Sequence, residues 1–280
     1  MGCAHIAGVS RLRQSTAGDE RAAKSVWLYL VLAFGISWLC YIVRKSTAWP
    51  PVIDETLRLL VKFGPSLAGI LIVFSLARFS GVRHLLRRLI PAWRDARWVV
   101  LALLLPVGIL ALAALIREFS SVETVLISEL APTSAVSAYA GLLATRFFLG
   151  GGLGEELGWR GFLQPRLQAR LTPFETSLVI GVLHGVWHLP AYGLGIVLLT
   201  GFTFSMAVIS TWMFAATQGR LFSIVMLHAS GNATLAFVEQ LFPSLDNDIG
   251  FLMIVLLLWL MAAGLVVWRV EIFRTRGHFQ

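Results

Sequence analysis

Charged residues and cysteines are scarce in this chain. Only 14% of its 280 residues are charged, whereas 57% are hydrophobic and the mean hydropathy is +0.78. A soluble domain averages about 25% charged residues, so this composition excludes an ordinary water-soluble fold and indicates an integral membrane protein. The two cysteines, Cys3 and Cys40, are too few for a disulfide framework or a cysteine metal cluster.

The chain also lacks a basic stripe with interleaved aromatic residues, which excludes nucleic acid as a partner despite a net charge of +8. Its arginines flank apolar runs, where anionic lipid headgroups are the expected partners. Residues 1–26 are mostly polar and give no signal for cleavage, so we expect the first apolar run to stay as an anchor.

Long apolar windows account for most of the remaining sequence. A helix needs about 20 apolar residues to cross a bilayer, and we predict about eight such spans. The windows are 27–43, 63–77, 98–116, 138–154, 174–191, 194–216, 221–238 and 249–268. The predicted fold is therefore a single all-α, polytopic membrane domain over residues 27–270, with cytoplasmic tails at 1–26 and 271–280.

The distribution of arginine predicts the orientation of this domain. The segment 78–97 is rich in arginine, and the next segment carries Glu118, Glu123 and Glu129. Because positively charged loops stay cytoplasmic, both termini should lie on the cytoplasmic side of the membrane, which is the plasma membrane or a cell inner membrane. One outer loop disagrees, since it contains Arg44, Lys45, Arg58 and Lys62.

Two adjacent carboxylates interrupt an apolar stretch, in the sequence Gly154-Glu155-Glu156-Leu157-Gly158-Trp159-Arg160-Gly161. On a helix, Glu156 and Arg160 are four residues apart and form an ion pair, which leaves Glu155 as the freer carboxylate. Ionisable groups are costly in a bilayer and usually mark function. The alternative is an ordinary cluster at a helix end, with Arg160 at the headgroups.

Three histidines fall in later apolar windows. His184 and His188 are four apart and share one helix face, and His228 precedes Asn232 by the same spacing. Each histidine alone could be a hydrogen-bonded packing residue. Their concentration near Glu155 favours one shared site inside the helix bundle. Arg146, at the edge of this region, is expected to pair with an acid or to line the cavity wall.

The sequence leaves open whether the site binds a metal ion. Zinc takes three protein ligands and one water, and His184, His188, His228 and Glu155 could supply them. The sequence has no HExxH motif, however, because Gly185 follows His184. Carboxylates beside histidines can also activate water directly, so we expect a site without a cofactor and keep zinc as the alternative.

These motifs resemble the CAAX protease and bacteriocin-processing (CPBP) family of intramembrane endopeptidases. The match rests on Glu155-Glu156-x-x-x-Arg160, on His184 with Trp187-His188-Leu189-Pro190, and on His228-x-x-x-Asn232. It covers about residues 138–240. The three motifs in this order in a polytopic chain are a fairly specific signal.

The resemblance implies roles for these residues. Glu155 would be the general base that activates water, and Glu156 and Arg160 would orient it. His228 and Asn232 would stabilise the oxyanion formed at the scissile carbonyl, as donors in a water-poor site do.

The second-motif histidine has two candidates. The Trp187–Pro190 sequence favours His188, whereas depth along a helix starting near Pro173 favours His184. We take His188 as the preferred candidate and keep His184 as its neighbour.

The predicted function is hydrolysis of a peptide bond in a membrane-associated protein or peptide, such as a pheromone, a bacteriocin leader or a membrane-protein tail. A non-proteolytic immunity or scaffold protein would use the same pocket to hold a peptide without cutting it. A transporter would use the acids and histidines as a proton relay, but the inverted repeats typical of such folds are not evident. Phe202, Phe204, Met206 and Trp212 could line a substrate cavity, although such residues more often pack helices.

Overall fold

The computed structural model describes residues 2–119, 132–241 and 248–275. Every regular secondary-structure element in these ranges is helical. The membrane-crossing helices and their neighbours are α1 (Gly2–Ser46), α2 (Pro51–Arg87), α3 (Ala96–Phe119), α4 (Pro132–Phe148), α5 (Gly151–Glu156), α6 (Gln164–Gln168), α7 (Pro173–Trp187), α8 (Leu189–Tyr192), α9 (Ile196–Ala216), α10 (Phe222–Leu241), α11 (Asp248–Trp268) and α12 (Val270–Arg274). A π-helical segment, Leu157–Leu163, joins α5 to α6. Glu123 and Glu129, which support the predicted orientation, lie outside the described residues.

The structure confirms an all-α polytopic membrane protein. Five helical stretches are long and apolar enough to cross a bilayer: Ala22–Ser46, Pro51–Arg87, Trp93–Ile116, Ile196–Ala216 and Ile249–Trp268. Phe222–Phe237 in α10 is a shorter apolar helix. The other two predicted windows correspond to shorter helices around α4, α5 and α7, and the number of spans stays a prediction.

The window 138–154 is not one helix. α4 ends at Phe148 and α5 begins at Gly151, with Gly150 in an extended conformation between them. The chain turns tightly here, because a Cβ atom on Gly150 would lie 2.7 Å from the Arg146 carbonyl oxygen. Glycine alone fits this approach, and the break lets α5 leave the line of α4.

Two apolar clusters hold the bundle together. One joins α3, α9, α10 and α11, and the other joins α1, α2, the π-helical segment and α7. In the second cluster Tyr29 stacks on Phe162 and meets Trp159 edge to face, and all three side chains are fully buried. The π-helical segment that follows the two glutamates is therefore held in place by aromatic contacts with α1.

The close packing of α2 on the motif helix depends on glycine. A Cβ atom on Gly158 would collide with the Pro65 carbonyl, and one on Gly154 would lie 2.8 Å from the Lys62 carbonyl oxygen. Ser66 adds a hydrogen bond from its hydroxyl to the Leu153 carbonyl, at 2.8 Å. Small residues thus let two backbones approach closely, as is usual between helices in membranes.

The start of α7 is determined by its sequence. Thr172 caps the helix by accepting a hydrogen bond from the Glu175 amide at 3.2 Å, and the Glu175 carboxylate accepts one from the Thr172 amide at 2.7 Å. Pro173 occupies the first turn, where its missing N–H costs nothing. At the other end, the Trp187 carbonyl accepts a hydrogen bond from the Trp38 indole at 2.9 Å. Both ends of the helix that carries His184 are therefore anchored.

Candidate active site

Glu155 and His184 form the centre of the site. Glu155 is the penultimate residue of α5, and its Oε2 lies 2.7 Å from Nε2 of His184 on α7. The two residues are only 4% and 5% exposed. A carboxylate and an imidazole from separate helices therefore share a hydrogen bond inside the bundle.

Glu156 has different partners. Its Oε1 accepts a hydrogen bond from Nη1 of Arg160 at 2.9 Å and lies 2.6 Å from Nδ1 of His228 on α10. The ion pair is buried, with Arg160 2% exposed and Glu156 1% exposed. Arg160 thus donates to Glu156 in a buried ion pair, and the ring of His228 lies within hydrogen-bond distance of the same carboxylate oxygen.

His228 links the two carboxylates. While its Nδ1 faces Glu156, its Nε2 lies 3.8 Å from Oε2 of Glu155. Asn232 follows one turn later on α10 and is half-buried. The structure therefore brings helices α5, α7 and α10 together around the two acids.

The direct partner of Glu155 is His184, not the preferred candidate His188. His188 stands at the C-terminal end of α7, and its ring stacks on that of His184 with centroids 5.3 Å apart. His188 therefore supplies a second imidazole, which is stacked against the ring of His184. The depth argument along α7 thus agrees with the observed contact better than the Trp-His-Leu-Pro pattern does.

Glu155, His184 and His188 could also hold a divalent ion. One ligand atom of each lies within 4.8 Å of the others, and carboxylate and imidazole are ligand types that zinc accepts. His228, included in the predicted zinc set, is not part of this group. Its Nδ1 is directed instead to Glu156.

Two aromatic residues that the sequence did not single out support the site. The Trp159 ring stacks on His184 with centroids 5.1 Å apart, and Tyr29 packs against Trp159. Trp159 lies within the Glu-Glu motif, so the sequence does contain a signal that it belongs to the site. Tyr29 comes from α1, and no local pattern connects it with residues so distant in sequence.

Gly151 leaves the space that the acids and histidines occupy. A Cβ atom at this position would lie 2.6 Å from Oε1 of Glu155 and would collide with Nε2 of His228. The absence of a side chain is therefore a requirement of the site itself.

Arg146 was expected to pair with an acid or to line the cavity wall. No carboxylate partner for it occurs in the described part of the chain, and its Nε is buried without a hydrogen-bond partner. Of the candidate cavity residues, Phe202 and Met206 line an apolar pocket between α3, α9, α10 and α11, together with Gly231 and Thr234 beside Asn232.

Comparison with known proteins agrees with this geometry. Residues 137–234 match the family described as type II CAAX prenyl endopeptidase Rce1-like. No curated protein matches the chain. The resemblance to the CAAX protease family is confirmed over this segment, which includes every candidate site residue, and the family indicates a membrane-embedded protease.

Proposed function

We propose that this protein is an intramembrane endopeptidase in which Glu155, supported by His184, activates water for attack on a peptide bond. The buried contact of 2.7 Å between these two side chains is the observation that carries the proposal. A carboxylate held by an imidazole in a water-poor pocket has the arrangement of a general base. The family match over residues 137–234 supports a protease of the CAAX type.

The other residues complete a route for the reaction. Oε2 of Glu155 accepts the hydrogen bond from His184, and its Oε1 takes a proton from the attacking water and returns it to the leaving amine as the C–N bond breaks. In its imidazolium form His228 donates Nδ1–H to Glu156 and presents Nε2–H to the oxyanion that develops on the scissile carbonyl. Asn232 is the second proposed donor, and Arg160 holds the Glu156 carboxylate in place through a buried ion pair. Such preorganised donors stabilise the transition state by a few kcal/mol.

Glu155, His184 and His188 are the residues that would hold a metal ion, which would supply a Lewis acid to activate water. Glu155 would then serve as a ligand, whereas without metal it serves as the base. Metal analysis of the purified protein decides between these forms. We expect turnover without stoichiometric metal and no loss of activity on treatment with a chelator.

The proposed substrate is a membrane-associated protein or peptide, since the site is enclosed by helices that lie in a bilayer. The matched family is named for CAAX prenyl substrates. A peptide pheromone, a bacteriocin leader and a membrane-protein tail have the same required property, a scissile bond near the membrane.

Cleavage in a defined bilayer tests the proposal. Wild-type protein and Glu155→Gln, reconstituted in nanodiscs, are incubated with an S-prenylated CAAX peptide and with a panel of hydrophobic peptides. Glu155→Gln should lose at least about 10²-fold in kcat, the usual contribution of a general base. Glu271→Gln, which changes an exposed acid outside the spans, is the matched control and should cleave like wild type.

Equal cleavage by Glu155→Gln and wild type would refute the assigned base. Binding of peptides by all forms with no cleavage by any would instead favour the immunity or scaffold alternative.

A further inference from the structure

A stripe of buried polar side chains runs along the helical segment that follows the two glutamates. Its members recur at every fourth residue and are Glu156, Arg160, Gln164 and Gln168. Each of them is at most 5% exposed. Four-residue steps drift round an α-helix by about 40° each, and the wider turn of the π-helical segment Leu157–Leu163 offsets this drift. The four side chains therefore lie on one face of the segment.

The stripe carries polar atoms that no protein group satisfies. Both amide atoms of Gln164 and of Gln168 lack a hydrogen-bond partner among the described residues. The same holds for Oε2 of Glu156 and Nε of Arg160. Buried polar groups are almost always hydrogen-bonded, and ordered water is the usual partner where the protein supplies none. The stripe is therefore suited to bound water and not to apolar packing.

The helix opposite the stripe adds one more unpaired hydroxyl. α7 packs against α6, and Thr176 in the first turn of α7 is fully buried. One turn later on the same face, Ile180 belongs to the apolar cluster that contains Phe162 and Leu163 of the π-helical segment. Thr176 thus faces the segment that carries the stripe, and its hydroxyl has no partner in the described part of the chain.

The next residue on α7 faces another helix. Ser177 precedes Gly181 by one turn, and a Cβ atom on Gly181 would lie 2.6 Å from Cα of Phe204 on α9. The Ser177 hydroxyl donates to the Pro173 carbonyl at 2.8 Å and is therefore satisfied within α7. Thr176 makes no such bond, which leaves its hydroxyl for water.

The stripe joins the site to an exposed turn. At one end Glu156 follows Glu155 directly, and its Oε1 lies 2.6 Å from Nδ1 of His228. At the other end Gln168 is the last residue of α6, and Ala169 after it is exposed. The two ends are at most about 18 Å apart along the helix, at 1.5 Å per residue. Each turnover of a hydrolase consumes one water, so a buried site needs such a connection.

We propose that Gln164, Gln168 and Thr176 hold a file of water molecules that supplies the hydrolytic water to Glu155 from the turn at Ala169. The role in supply rests on the proposed function, whereas hydration of the stripe does not. Glutamine suits this task, because its uncharged amide donates and accepts hydrogen bonds and does not compete with Arg160 for the Glu156 carboxylate.

Radiolytic footprinting tests whether the stripe is hydrated. An X-ray pulse makes hydroxyl radicals from water, including bound water, and a methionine beside that water becomes a sulfoxide that mass spectrometry detects. Gln164→Met and Leu163→Met, in phosphatidylcholine nanodiscs, place the same reporter at adjacent positions that are both 0% exposed. We expect sulfoxide at position 164. Position 163, in the apolar cluster with α1, should stay at the level of Met213, which is also 0% exposed.

Equal protection of positions 163 and 164 overturns the inference, because it shows a dry stripe. Equal oxidation of both also overturns it, because the water would then not be confined to the polar face. Neither result depends on cleavage, so the footprint stands as a separate result if the proposed function fails.

Turnover tests whether the water file supplies the reaction. The double variant Gln164→Met with Gln168→Met should lower kcat by at least about tenfold with KM unchanged, because the general base then receives water slowly. Its Tm should not fall, since the change removes buried polar atoms that the protein does not satisfy. Wild-type kcat in the double variant overturns the supply role, and a joint fall of kcat and Tm assigns the glutamines a structural role instead.

Changes on α7 provide a matched pair. Thr176→Val removes the unpaired hydroxyl and should lower kcat, whereas Thr176→Ser keeps a hydroxyl and should retain the wild-type kcat. Ser177→Ala, the control, removes an equally buried hydroxyl that bonds within its own helix, and it should cleave like wild type. Equal kcat values for Thr176→Val and Ser177→Ala would remove Thr176 from the file. Absence of cleavage by wild type would refute the proposed function and the supply role together.

Discussion

The two acids of the motif are adjacent in sequence but have separate tasks because of helix geometry. Neighbouring residues on a helix point about 100° apart, so Glu155 faces His184 on α7 while Glu156 faces Arg160 and His228. Glu156 is in contact with Arg160 and His228. Glu155 makes its shortest contact, among the described residues, with His184 through Oε2, and His228 lies farther away at 3.8 Å.

His184 should matter more for turnover than His188. His184→Ala removes the hydrogen bond that orients Glu155 and should lower kcat by about 10²-fold or more. His188→Ala removes a stacked ring and should lower kcat by less than about tenfold. Steady-state kinetics on both variants checks the difference. A larger loss for His188→Ala would restore it as the second-motif histidine or indicate that it binds a metal.

Gly151→Ala should inactivate the protein without unfolding it. The added methyl group would displace Glu155 and His228, whereas the same change at Gly141 on α4 meets no atom within 4 Å. We expect a loss of kcat of at least about 10²-fold for Gly151→Ala, because small displacements of catalytic groups are costly. Gly141→Ala should cleave at the wild-type rate. Normal activity of Gly151→Ala would contradict the observed packing of the site.

Sequence could identify the reactive residues of the site more readily than their pairing. Glu155, Glu156 and the histidines are detectable because ionisable groups are rare in apolar windows. The choice between His184 and His188 depends on where α7 ends and how it is anchored to Trp38, which local spacing does not reveal. Tyr29 is equally hidden, because its contact with Trp159 joins distant helices.

At the scale of elements, irregular backbone positions the motif. α4 and α5 are separated at Gly150, and the π-helical segment Leu157–Leu163 follows Glu156 directly. π-helical turns often occur at functional sites. Here the wider turn accompanies the packing of α5 against α2 and α10. Hydropathy predicted one span for 138–154, because glycine runs do not interrupt an apolar window even when they break a helix.

Arg88 connects the π-helical segment Leu157–Leu163 to the loop before α10. Its Nη1 donates to the Gly161 carbonyl at 2.9 Å and its Nε to the Gly219 carbonyl at 2.7 Å. Pro165 has no N–H, so it cannot donate to the Gly161 carbonyl four residues before it, and Arg88 supplies a donor there. Burial lowers the pKa of Arg88 to about 10, so the guanidinium stays charged at neutral pH.

Arg88→Met should destabilise the protein by about 2–4 kcal/mol, since two buried carbonyls lose a charged donor. Thermal unfolding in detergent measures the change, and we expect a fall in Tm of several degrees. Arg87→Met, at the exposed neighbouring position, is the matched control and should leave Tm unchanged. Equal Tm values for the two variants would show that the bridge contributes little.

At the scale of the whole molecule, the site lies where helices from both apolar clusters meet. α1, α2 and α7 enclose it on one side, and α10 brings His228 from the other. Composition was sufficient to predict an all-α membrane bundle. The number of crossings is harder to predict, because α4, α5 and α7 are short helices whose polar residues face one another inside the bundle.

The predicted orientation has a direct test. Reporter fusions after Gln280 and within the Arg88–Arg97 segment should both report a cytoplasmic location, because arginine-rich segments stay inside. A fusion within 120–131 should report the opposite side. Reports of opposite sides for the terminus and the 88–97 segment would contradict the proposed topology.

A double-mutant cycle on kcat/KM tests whether Glu155 and His184 act as one catalytic unit. Wild type, Glu155→Gln, His184→Ala and the double variant are compared with the same peptide in nanodiscs. Groups that act together give strongly non-additive losses, so the double variant should be no more than about threefold worse than the more damaged single variant. Losses that multiply independently would show that the two side chains do not work together in the reaction.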